Sequence, residues 1–111
     1  VKVQIKVWSN WGENLESEFG DNSEELSTII ENWFADNCVQ GRFSLSDATE
    51  NFMKFEQVRI PMMRTDDKGR ERAVDTRSFV SDLRKYLNGM GIPSKLYLRG
   101  LGEAWLILGE K

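Results

Sequence analysis

Two stretches of this chain repeat apolar residues at helical spacing while leaving their other side polar. Leu26, Ile29, Ile30, Trp33 and Phe34 form one stripe, and Phe79, Val80, Leu83, Tyr86 and Leu87 form the other. Each stripe predicts an amphipathic helix that must bury one face against another layer. That layer is written in a different period. Val1, Val3, Ile5 and Val7 alternate with Lys2, Gln4, Lys6 and Trp8, the signature of a strand with one buried face. At 111 residues the chain supplies one core, so 1–111 reads as a single domain.

Local signals set the expected boundaries. Asn22 or Ser23 can cap the first helix, with Glu25 completing a capping box, giving a helix over about 23–36 after a polar loop from Ser9 to Asp21. Val39, Phe43 and Leu45 suggest a strand around Gly41, and Phe52 to Met63 a long strand with a bulge near Gln57. Pro61 confines that strand to an edge or ends its pairing. The turn string TDDKGR then folds Arg70 to Val74 back as a short arm. Asp75 or Thr76 caps the second helix, and Gly89 offers a left-handed stop. SKLYLR and AWLILG close the chain as a hairpin turning near Gly100 to Gly102.

The expected order is β-α-β-β-β-α-β-β, an α+β domain with two helices on one face of a mainly antiparallel sheet. It is reminiscent of the split βαβ, ferredoxin-like order with an added hairpin. That likeness is architectural and implies no function.

Side-chain inventory limits the chemistry. With no His, hydrolase triads lose their common base and imidazole metal ligation is impossible. Cys38, the one cysteine, reads as a small buried apolar group, and with no bridge to form it points to a reducing, cytoplasmic setting. Asp66 with Asp67, and the loop acids Glu13, Glu16, Glu18 and Asp21, lack the ligand spacing of a calcium loop and read as solvated charge. GLGE at 100–103 lacks the spacing and following helix of a phosphate cradle. We therefore expect no catalytic residue, metal or cofactor. No apolar run nears the ~20 residues of a bilayer span, so no membrane role is expected.

Two binding readings remain. Trp8 falls on the polar side of its strand, Trp11 in the following loop, and Trp105 with Ile107 on a second apolar face of the last strand. Aromatic groups placed off the core anchor interfaces, so these four are the candidate contacts to another protein or to a second copy; the bland alternative is a small second core under the loop. The other reading uses Arg64, Lys68, Arg70, Arg72 and Arg77 as a basic hairpin on RNA or single-stranded DNA. Charge supports it weakly: residues 1–50 carry −7 and 51–111 carry +4, but Arg64 to Arg77 nets only +1 because acids are interspersed. The favoured expectation is a regulatory or accessory domain that works by protein binding.

Overall fold

In the computed structural model, which describes residues 1–65, 68–100 and 102–110 with Arg64 and Arg72 as backbone only, the two stripes meet one sheet. Strand β1 (Lys2–Val7) runs first, and a two-residue ladder, β2 (Glu18–Phe19) with β3 (Glu24–Glu25), leads into α1 (Leu26–Asn37). Then come β4 (Ser44–Ala48), β5 (Phe52–Glu56), the arm β6 (Met63–Thr65) with β7 (Glu71–Ala73), α2 (Thr76–Gly89), β8 (Ser94–Leu98) and β9 (Glu103–Leu108). The main sheet has the order β4-β5-β1-β9-β8. Only the β1–β9 pairing in it is parallel; the other three are antiparallel. The expected α+β class holds, with β1 central between two hairpins.

Alternation decides which side chains meet the helices. Val3, Ile5, Met53, Phe55, Ala104, Leu106 and Leu108 are all buried, as are Leu26, Ile29, Ile30, Trp33 and Phe34 of α1 and Phe79, Val80, Leu83 and Leu87 of α2. Phe34 stacks on Phe55 with ring centroids 4.1 Å apart, while Phe79 packs edge-on to Trp33 at 5.1 Å. These rings join both helices to each other and to the same sheet face. Tyr86, expected in the second stripe, is instead 46% exposed on α2; four apolar residues already fill the width of contact.

The expected side-chain cap of the first helix fails through the competition of backbone partners. The N-cap residue is Glu25 rather than Asn22 or Ser23, and it makes no side-chain cap bond. The Leu26 amide donates to the Ser17 carbonyl and the Ser27 amide to the Leu15 carbonyl. Loop carbonyls thus satisfy the donors that a cap would have taken, and the long loop is stitched to the helix start. The strand expected around Gly41 is a 3-10 turn over Val39–Gly41, with Gln40 at φ 55° and β4 beginning only at Ser44. The regular ladder of β5 ends at Glu56, but beyond it Val1 and Val58 exchange backbone hydrogen bonds, one residue out of step with the Val3–Phe55 pair, so Gln57, at φ 52°, is the expected bulge, and the pairing stops short of Pro61. A second register shift, not expected from the sequence, lies in β4 between Leu45 and Asp47.

The second helix follows its signals closely. Asp75 accepts from the Ser78 amide at 2.7 Å, and the Ser78 hydroxyl accepts from the Asp75 amide at 3.1 Å, a reciprocal capping box. Gly89 remains helical, and the left-handed residue after the helix is Gly91 at φ 84°. The turn string keeps Gly69 at φ 78°; Asp66 and Asp67 lie outside the described residues.

Candidate binding face

The face of the sheet away from the helices carries the alternate residues. Register sets Gln4 beside Lys54 and Trp105, Lys6 beside Phe52 and Ile107, and Tyr97 beside Trp105. Every one of these side chains, with Lys2, Glu56, Lys95 and Glu103 from the same face, is at least partly exposed. The long loop does not close this face. Its Leu15 is buried in the helix-side core, and Phe19 packs against that core.

Trp105 is the organised centre of the face. The Lys6 ammonium lies 3.6 Å from its ring centroid and the Arg99 guanidinium carbon 4.2 Å, both within the range of cation–π attraction. Its indole N–H donates to the Glu103 carboxylate at 2.9 Å, and the Gln4 amide donates to the same oxygen at 3.1 Å. The ring is therefore held by two cations and one carboxylate without being buried. Further along, Tyr97 donates to the Glu110 carboxylate at 2.6 Å, a bond that raises the phenol above its ordinary pKa. Lys54 pairs with Glu56 at 3.2 Å.

The four expected contact residues divide. Trp105 and Ile107 share the outer face, whereas Trp8 and Trp11 lie beyond the end of β1, lining a cleft with Gly91, Pro93 and Gly109. Trp8 is 40% exposed. Trp11 stacks on Phe19 with rings 2° from parallel and packs against the core. It also covers Gly109 so closely that a Cβ there would overlap the indole. Trp11 thus packs against the helix-side core and Trp105 stays on the outer face, so among the described residues they do not form a second core under the loop.

Sequence reading missed Lys6, Arg99, Gln4 and Glu103, which hold Trp105 in place. Lys6 was legible as an outward residue of β1. Its contact with Trp105 needed the parallel β1–β9 register, which joins opposite ends of the chain.

The expected basic hairpin is split. Arg64 stands opposite Arg72 in the β6–β7 register, and Lys68 and Arg70 are exposed near its tip. Arg77 belongs elsewhere, on α2 facing β8. Cys38 is 6% exposed, and burial pushes its thiol up to about 11, which disfavours the reactive thiolate. Among the described residues no helix is long and apolar enough to cross a membrane.

Residues 1–109 match the model of a family described as a domain of unknown function, DUF6175. The chain belongs to this family. Neither the curated proteins nor the solved structures gave a match. The family description names no activity, so functional inference for this DUF6175 domain rests on its surface chemistry.

Proposed function

We propose that the domain is a non-enzymatic accessory module that binds another protein through the outer face of its sheet. The observation that carries this reading is Trp105, held between Lys6 and Arg99 on a face whose side chains all remain accessible. Tryptophan, tyrosine and arginine are the residue types that dominate interface energies. An anchor already ordered in the free domain loses little conformational freedom on binding. Phe52 and Ile107 extend the apolar area on either side of it. The buried lone thiol is compatible with the reducing, cytoplasmic setting proposed with it.

Trp105→Ala with Lys6→Glu is the pair of changes that tests this. The variant should keep its helical circular dichroism and cooperative melt while losing association with its protein partner. Unfolding of the variant would assign these residues to the fold instead.

A second reading, binding of single-stranded nucleic acid, draws on the opposition of Arg64 and Arg72 across the hairpin arm. Lys68 and Arg70 are exposed near the tip of the same arm, and a basic arm of this kind tracks phosphates. A mixed-sequence oligonucleotide should then bind at low salt, with each lost phosphate contact flattening the log–log salt slope by about 0.7. No binding at low salt removes this reading.

A further inference from the structure

We propose that the free edge of β8, with the groove between it and α2, takes an extended acidic segment of a partner protein as an added strand. Strand β8 ends the sheet. Across β9, Arg99 donates to the Glu103 carbonyl and Gly109 to the Pro93 carbonyl. The antiparallel alternation therefore turns Lys95 and Tyr97 toward β9, and points the N–H and C=O of Leu96 and Leu98 outward from the edge. Such a row of backbone groups is a template for another strand.

Beside that edge lies a groove of about 500 Å³, lined by Arg77, Ser81 and Arg84 of α2 and by Lys95 to Leu98. The short turn after α2 reverses the chain, so Arg84 sits at the start of β8, donating to the Ser94 carbonyl at 3.3 Å, and Arg77 near its end. Among the described residues Arg77 and Arg84 are the cations on the helix side of the groove and no carboxylate lines it, while Lys95 flanks the edge from the outer face and Leu96 and the 47% exposed Leu98 give an apolar floor. This charge selects an acidic strand. It also opposes a second copy of the domain, because two-fold pairing of β8 with itself would set the same cations against one another. The proposal goes beyond the reading of the outer face and uses a different surface, with Arg77 and Arg84 on the helix side.

The test uses the full chain and a capped eight-residue peptide of alternating Glu and Val, labelled for fluorescence anisotropy at low salt, with amide exchange followed by NMR. The peptide should bind and slow exchange of the Leu96 and Leu98 amides about tenfold or more at saturation. Arg77→Glu should weaken it by about tenfold, as expected for loss of a close charge contact, with unchanged circular dichroism. Backbone N-methylation at alternate peptide residues should abolish binding. Unchanged exchange at Leu96 and Leu98 would overturn the proposal, as would equal binding of a Lys–Val peptide. Equal protection of those amides by oligothymidine, or by raising the protein concentration alone, would overturn it too by assigning the edge to a polyanion or to a second copy.

Discussion

Lys6 and Trp105 stand at opposite ends of the chain, yet the ammonium of one lies 3.6 Å from the ring centroid of the other. The parallel register of β1 and β9 brings them together, with Gln4 opposite Trp105 and Lys6 opposite Ile107. The pair lies on the outward face, so its energy is that of a partly hydrated cation–π contact. A double-mutant cycle of Lys6→Met and Trp105→Leu, read by urea denaturation, should give a coupling of about 0.5–1 kcal/mol. A coupling indistinguishable from zero would mean that the two side chains do not meet in solution.

The contact of Trp11 with Gly109 makes the opposite prediction, of a large effect. Gly109 has φ 87°, and a Cβ there would overlap the Trp11 indole. Gly109→Ala should therefore cost at least about 2 kcal/mol, combining backbone strain with overpacking. Adding Trp11→Ala removes the overlap while leaving the strain. Thermal melts of the single and double variants should show Gly109→Ala costing less in the Trp11→Ala background; equal costs in both backgrounds would contradict the packing described.

The Asp75 cap gives a pH signature. Hydrogen bonds from the Ser78 amide and then its hydroxyl hold the Asp75 carboxyl below its ordinary value. Its folded pKa is depressed, so its stabilising effect is present above the unfolded value of about 3.9 and is lost as pH falls through the lower folded value. Asp75→Ala should lower the melting temperature at pH 7, and the gap to the parent should close as pH falls below about 4. A gap that stays constant down to acid pH would show that the carboxylate form is not what caps α2.

How much of this was legible in the sequence follows the range of the interactions. Both apolar stripes apart from Tyr86, the outward phase of β1 and the Asp75 cap depend on residues within a few positions of one another, and these were read correctly from spacing. The first helix start was misread because its amides are taken by carbonyls of Leu15 and Ser17, which no side-chain pattern announces. Trp105 was legible as a residue left over from the core. The cations that hold it were not, since their contact depends on a pairing of chain ends. Trp11 looked equally unplaced and proved to be packed, because its partner Gly109 carries no side chain to signal a contact.

The most direct measurement replaces Phe52, on the outer face and remote from β8, with the photoreactive p-benzoylphenylalanine in the native cell. Tyr86, exposed on α2, is replaced in the same way as a control. Binding through the sheet face predicts a discrete protein adduct from position 52 that is absent from position 86 and disappears with Trp105→Ala. No adduct from position 52, or the same adducts from both positions, would contradict the assignment of the outer face as the binding surface.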